Sequence, residues 1–322
     1  MVKAAKRKVS ETGYRPCKRQ RVSELDDRDE DTSSSKGTAE PKKRGTKESS
    51  AVKASRQDFE SKYQQLNVVG EGGHGSVYAG YRRADNLPVA IKHIPRNNVL
   101  CKDISKKTRL LPLEVAVMKK LARGAGGKSA AIALLDYYDL DEKLILILER
   151  PDPCADLFQY IEDKGGSLPE EEARLVLKQL VEAGVELEEK NIFHRDIKLE
   201  NILMATGSVV PRLRLIDFGL SCFTKKTSLF TIFCGTVAHI LPEWYQRHTY
   251  RAGPSTVWQV GVVLYEMLHT HNRFETRKFL RNKVRISKEL SHDCRDVLRQ
   301  CLAIDPLRRP SLEQLRLHPW LN

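Results

Sequence analysis

The run KLILIL, Lys143 to Leu148, is apolar at every position after the lysine, and the chain then meets Pro151 and Pro153 within five residues. Five successive apolar residues read as a buried strand. Proline has no backbone N–H and holds its own φ, so two of them close together end that strand abruptly. The texture differs on either side of the break. Before it, YQQLNVVGEGGHGSVYAGYRR and LPVAIKHI have the short β-branched runs and turn residues of strands, with one helical segment, LPLEVAVMKKLA. Beyond it the pattern is helical: SLPEEEARLVLKQLVEAGVELEEK, VWQVGVVLYEML and SHDCRDVLRQCL. In the first of these Ser167 precedes Glu170 by three residues, the spacing of a capping box, with Pro169 in the first turn. The expected fold class is α+β and bilobal: a small β-rich N-lobe over about 59–148, a hinge over 149–155 and a larger α-helical C-lobe over 156–322.

Several function classes are excluded at this stage. No apolar run approaches the ~18 residues of a membrane span, and the basic N-terminus MVKAAKRKVSETG lacks the apolar core of a secretory signal. The seven cysteines are scattered with no CxxC pair, as free thiols in a reducing compartment would be, which predicts a cytoplasmic or nuclear protein. Net charge is +13, but residues 1–55 alone hold 15 Lys and Arg against 9 Asp and Glu. The remaining excess is spread thinly with no interleaved aromatic stripe, so neither nucleic acid nor membrane is expected as a partner. Residues 1–56 are rich in Ser, Lys, Glu, Asp and Thr and cannot bury enough surface to offset ordering entropy, so disorder is expected there. Their basic clusters, Lys6–Lys8, Lys18–Arg21 and Pro41–Arg44, fit a bipartite nuclear-import signal and equally a solvated charged tail.

Four elements carry chemistry. Gly70-Glu71-Gly72-Gly73-His74-Gly75-Ser76-Val77 is G-x-G-x-x-G-x-V between two strands; glycines let backbone N–H groups approach phosphate oxygens. Gly-rich hairpins are common, but a dinucleotide site would place a helix directly after the motif, and here a strand follows. Lys92 stands among apolar neighbours in VAIKHI and needs a partner. Glu114 shares a helix face with Val117, Met118 and Leu121, so it is either that partner or a surface glutamate on a slightly rotated helix. In FHRDIKLEN, Asp196 and Lys198 can flank one reacting hydroxyl and its phosphate. Asn201, with Asp217 at the strand end of LIDFG, offers the oxygen donors Mg²⁺ prefers.

In this order and spacing the elements resemble a eukaryotic protein kinase from about Tyr63 to Trp320. Ile-Lys after Asp196 points to serine/threonine specificity. Within that family the chain is most similar to the Pim kinases, through the hinge E-R-P-x-P, the following DLF, HRDIK-EN, PEW, VW without the usual preceding aspartate, and HPW near the end. The resemblance implies ATP and Mg²⁺ as cofactors and protein substrates as partners of a monomeric enzyme. It implies that Gly70, Gly72 and Gly75 cover the phosphates, that Lys92, held by Glu114, contacts the α- and β-phosphates, and that Asp196 is the base. Lys198 would neutralise the transferring γ-phosphate, and Thr236 would seat the substrate near Asp196. Val69, Val77, Ala90, Leu148, Leu203 and Ile216 would wall the adenine slot, each being also a plausible core residue. Asp156 and Glu200 match acids that read basic residues upstream of the phosphoacceptor. Pro153 falls where hinges usually present an N–H to adenine, which leaves the Glu149 carbonyl as the expected anchor. Glu243 and Arg309 should pair.

The chain departs from the Pim pattern at Val237, His239 and Leu241, on the segment expected to face the substrate residue after the phosphoacceptor. Leu199, Ile232 and Cys234 stand where further acids are expected, which predicts a weaker demand for distal arginines. Thr256 replaces an aspartate that braces the catalytic loop in most kinases. Ser221, Thr224, Thr227, Ser228 and Thr231 could pair with Arg195 if phosphorylated, although the resemblance implies activity without it. The alternative function is a pseudokinase scaffold, whose usual mark is loss of Lys92, Asp196, Asn201 or Asp217; none is lost.

Overall fold

The computed structural model describes residues 56–73, 75–103, 110–123, 129–269 and 273–322. The expectations for the tail over 1–55 and for His74 lie outside the described residues. The described residues begin with helix α1 (Arg56–Lys62), then strands β1 (Tyr63–Gly72), β2 (Gly75–Arg82) and β3 (Pro88–Pro95), a small hairpin of β4 (Cys101–Asp103) and β5 (Leu110–Pro112), helix α2 (Leu113–Ala122), and strands β6 (Leu134–Asp139) and β7 (Lys143–Glu149). Five of the strands form one antiparallel sheet in the order β1-β2-β3-β7-β6.

The unbroken apolar run in β7 follows from its two buried faces. Ile145 and Ile147 pack with Val89, Ile91, Tyr138, Phe59 and Tyr63 under α1. Leu144, Leu146 and Leu148 point the other way, into the large core shared with α2 and the helical lobe. Helix α1 itself was not foreseen. It is a polar segment with one buried residue, Phe59, edge-on to Tyr138 at 5.5 Å between ring centroids. The i,i+4 ion pairs Arg56–Glu60 and Asp58–Lys62 span its exposed side.

After Glu149 only residues 150–153 connect the lobes without strand pairing, because β8 (Cys154–Asp156) already pairs with β10 (Ile202–Ala205), which pairs with β11 (Arg212–Leu215). The C-lobe continues with α3 (Leu157–Asp163), α4 (Glu170–Glu189), β9 (Ile192–Phe193), β12 (Cys222–Phe223), α5 (Pro242–Arg247), α6 (Ala252–Leu268), α7 (Thr276–Leu280), α8 (His292–Cys301) and α9 (Leu312–Arg316). Helix α6 is buried without interruption from Ser255 to Met267, as expected of a helix apolar on nearly all sides, and packs against α4 and α8.

The capping box expected at Ser167 does not form. Pro169 is the N-cap of α4, and no side chain caps that end. The Glu170 carboxylate instead accepts from the Ser291 N–H at 2.7 Å, the Ser291 hydroxyl at 2.6 Å and the Trp320 indole N–H at 3.2 Å, tying the helix start to the C-terminal end of the domain. Three long-range donors outcompete a local reciprocal bond whose spacing alone was legible.

Candidate active site

Strand register builds the upper wall of the site. Partners across an antiparallel pair share a face, and β2–β3–β7 match Val77 with Lys92 and Leu146, and Ala79 with Ala90 and Leu148. Val77, Ala90, Lys92 and Leu148 therefore lie on one face of the sheet, the face turned toward the C-lobe core. Val69 sits at the irregularity between Val68 and Gly70 and is exposed. Below, Leu203 of β10 and Ile216 just after β11 are half-buried against the same core. The hairpin puts Glu71 opposite Ser76 and Gly72 opposite Gly75. Gly75 has φ +133°, and a Cβ there would come within 1.9 Å of the His93 carbonyl oxygen, so only glycine fits. At Gly70, Gly72 and Gly73 a Cβ would meet nothing within 4 Å, so no packing partner in the chain requires glycine at those three positions.

Lys92 and Glu114 meet: Nζ to Oε1 is 2.7 Å, with both side chains buried. The same ammonium reaches Asp217 Oδ1 at 2.8 Å. Burial alone would lower the Lys92 pKa, but the two carboxylates outweigh it and hold the pKa raised, so the lysine is charged. Asp217 follows β11 in a left-handed conformation, φ +61°, and accepts from the Gly219 N–H at 3.3 Å. A Cβ on Gly219 would lie 3.2 Å from Asp217 Oδ1, 3.5 Å from Glu114 and 3.8 Å from Lys92, so glycine there keeps the ion cluster clear.

The catalytic-loop side chains converge from the other lobe. Asp196 Oδ1 accepts from the Thr236 hydroxyl at 2.7 Å and its N–H at 2.9 Å, while Oδ2 lies 3.1 Å from Lys198 Nζ. Lys198 also donates to the Thr236 hydroxyl oxygen at 3.0 Å. The Asn201 amide nitrogen donates to the Asp196 carbonyl at 2.8 Å and to Oδ2 at 3.1 Å, so the acceptor end of that amide is left for a cation. His194 fastens the loop to the strand before Asp217 through Nε2 and the Ile216 carbonyl, 3.1 Å apart. The residues fit Mg²⁺ as it is usually held, by one or two protein oxygens together with substrate phosphates. Among the described residues no group of three His, Cys, Asp or Glu is placed to cage a metal on its own.

At the hinge, Glu149 remains paired with Val89, and its carboxylate accepts from Arg214 at 3.1 Å and from the Ala133 N–H at 3.2 Å. The Pro153 carbonyl accepts from the Thr206 N–H at 3.0 Å. Asp156 caps α3 by accepting from the Gln159 N–H at 2.8 Å; burial raises its pKa, and nearby Glu200 adds to the rise. Glu200 is bonded to Arg273 at 3.0 Å, whose guanidinium lies 4.1 Å from the centre of the Phe158 ring. The sequence reading did not find Arg273.

Of three further expectations, two met the structure differently and the Glu243–Arg309 pair formed as expected. Val237 is on the surface, but His239 and Leu241 are buried, so two of the three departures cannot face a substrate. Burial pushes the His239 pKa down to about 4 and that of neighbouring Glu266, 3.9 Å away, up to about 7; their contact is not an ion pair. The Arg195 guanidinium lies 4.8 Å from the Phe230 ring centre and 3.6 Å from Cys234 Sγ, and Ser221 is buried and donates to the His194 carbonyl. Glu243 and Arg309 form a buried bidentate pair at 3.0 and 2.7 Å.

A lysine that crosses from a five-stranded sheet to an aspartate of the helical lobe, above a loop carrying a second aspartate, is the arrangement of a protein kinase. A family model for the protein kinase domain matches residues 63–321, and the chain belongs to the protein kinase family. Serine/threonine-protein kinase pim-2 of Danio rerio is 39% identical over 276 residues, which cover 84% of this chain and 88% of the relative. The chain is thus a Pim-like protein serine/threonine kinase. It is also 33% identical to serine/threonine-protein kinase prk-2 of Caenorhabditis elegans, covering 59% of that protein, and 30% identical to the PAS domain-containing serine/threonine-protein kinase of Mus musculus, covering 19%. The family in general uses ATP and Mg²⁺ and acts on proteins. Among the described residues no helix is long and apolar enough to cross a membrane.

Proposed function

We propose that the enzyme transfers the γ-phosphoryl group of ATP to Ser or Thr hydroxyls of proteins through the cluster built around Asp196. The substrate oxygen attacks the γ-phosphorus, the bond to the bridging oxygen of ADP breaks, and the hydroxyl proton passes to Asp196. Thr236 and Asn201 hold that carboxylate in place, and Lys198, beside it, meets the charge on the transferring group. Lys92, oriented by Glu114, binds the α- and β-phosphates beneath Gly70, Gly72 and Gly75. Asn201 and Asp217 are the residues that would hold Mg²⁺, which when bound neutralises and orients the phosphates. Adenine lies between the sheet residues Val69, Val77, Ala90 and Leu148 and the lower pair Leu203 and Ile216, with one hinge bond, to the Glu149 carbonyl. The observation that carries this reading is the meeting of Lys92, Asp217, Asn201, Asp196, Lys198 and Thr236, drawn from four separate stretches of chain, at the junction of the lobes.

Asp156 and Glu200 read basic residues upstream of the acceptor. Arg273 already neutralises Glu200, so that reading is weaker than two free carboxylates would make it. Transfer of label from ATP to an arginine-containing peptide, absent in Asp196→Asn, tests the assignment. No transfer by the wild-type enzyme would leave a nucleotide-binding scaffold instead. For the whole chain we propose a monomer with a kinase domain over 57–322, acting in the cytoplasm and nucleus, with the basic clusters of 1–55 directing import. A reporter fused to those residues that stays out of the nucleus would sink the import role.

A further inference from the structure

Helix α6 carries a buried amide in an otherwise apolar stretch, Gln259 between Trp258 and Val260. An amide so placed is costly unless its donor and acceptor are both used. Both are, and both go to the catalytic loop. Nε2 donates to the Arg195 carbonyl at 2.6 Å, and Oε1 accepts from the Ile197 N–H at 3.4 Å. Those two groups belong to the peptides immediately before and after Asp196. One planar side chain therefore grips the backbone on both sides of the proposed base.

We propose that Gln259 is the positioning residue of the catalytic loop, replacing from one helical turn away the brace that Thr256 does not supply. The Thr256 hydroxyl is turned back to the Ala252 carbonyl of its own helix, 2.9 Å away, and makes no bond to the loop. The loop has a reason to need a brace. Arg195 is held at φ +73°, a left-handed conformation disfavoured for a side-chain-bearing residue, and it precedes Asp196 directly. Its carbonyl is the one Gln259 holds, so losing that bond frees a strained residue to relax and carries the Asp196 carboxylate off its place. Gln259 touches neither Lys92 nor the glycine hairpin, so nucleotide binding lies outside its reach. This inference rests on the reading of Asp196 as base.

The test compares Gln259→Leu, which removes both bonds at similar volume, with Gln259→Glu, which keeps the acceptor for Ile197 and loses the donor. Misplacing a reacting group by up to about 1 Å costs about tenfold to a hundredfold in rate, and that is the fall in kcat expected for Gln259→Leu. Gln259→Glu is expected to fall between it and the wild type, and KM for ATP should stay within about twofold for both, since the phosphate-facing groups are unmoved. An unchanged kcat in Gln259→Leu overturns the proposal. So does a parallel loss of kcat, ATP binding and thermal stability in both variants, which would mark Gln259 as ordinary core. Should Asp196→Asn retain full turnover, the reading of the base fails first, and that result is separate from either outcome at Gln259.

Discussion

Lys92 Nζ stands 2.8 Å from Asp217 Oδ1, a residue 125 positions further along the chain, while it holds Glu114 at 2.7 Å on its other side. One ammonium thus bridges two carboxylates, one from each lobe, and leaves the trio one negative charge in excess. Removing it leaves both acids facing each other in a site that excludes most water. Lys92→Met is expected to lose at least about a hundredfold in turnover and about 3–5 kcal/mol in stability, the usual cost of stripping one partner from a buried pair. Adding Glu114→Gln to Lys92→Met should return part of the stability and none of the activity. Urea melts and label transfer on the two variants check this; recovery of activity in the double variant would contradict it.

Glu266 and His239 tie stability to pH in opposite directions. Burial raises Glu266 to about 7 from its ordinary 4.5, against the lowering influence of the Phe274 N–H and Arg273. Its contribution is therefore full below pH 4.5 and is lost as pH rises through 7. Burial lowers His239 to about 4 from 6.5, so its contribution is present above 6.5 and lost as pH falls toward 4. Across the overlap the two slopes cancel. Glu266→Gln removes one of them: relative to wild type it should gain about 1–3 kcal/mol at pH 8 and little near pH 4.5. Denaturant midpoints at the two pH values measure this. An equal difference at both would mean Glu266 does not titrate as described.

Arg273 is bonded to Glu200 with its guanidinium over Phe158, and on the proposed reading of Asp156 and Glu200 it stands where a substrate arginine would bind. A peptide cation must displace it. An exposed pair of this kind is worth about 0.2–1 kcal/mol, so Arg273→Ala should raise the preference for an upstream Arg over Ala, measured as a ratio of kcat/KM, by about 1.5- to 5-fold. Changing Asp156 and Glu200 together to Lys should abolish the preference. A ratio unmoved by Arg273→Ala but lost in the acid variant clears Arg273 alone. A ratio unmoved by either removes the acids from the account.

Much of this was legible beforehand, and the pattern of success is physical. Lys92 and Glu114 were paired from sequence because each is a charge in an apolar stripe, a situation with few solutions. The longer N-lobe strands announced themselves by β-branched runs between turn residues and by the apolar run of β7, and the long C-lobe helices by their helical pattern; the short β4–β5 hairpin did not. Helix α1 did not, since its one buried residue, Phe59, gives no period. Ser167 misled because spacing shows a possible local bond but not the distant donors, Ser291 and Trp320, that compete for Glu170. Gln259 and Arg273 were missed for the same reason: each finds its partner more than sixty residues away, and nothing local marks a glutamine in an apolar helix or one arginine in a basic stretch. His239 was placed on a substrate-facing surface through the resemblance alone, although Val237, Ala238, Ile240 and Leu241 around it are apolar, and the turn that holds it faces inward.

The hinge leaves a consequence for anyone designing ligands to this pocket. Pro153 has no N–H, and its carbonyl is already engaged by Thr206. If Pro153 stands at the adenine donor position, as proposed, a flat heterocycle that asks the hinge for a donor and an acceptor side by side would find its donor missing. Pro153→Ala should tighten ATP, or such a scaffold, by up to about tenfold, the worth of one neutral hydrogen bond; no change in either affinity would place the adenine elsewhere. Compounds that anchor instead on Lys92 and Asp217 and fill the slot by shape would lose nothing here.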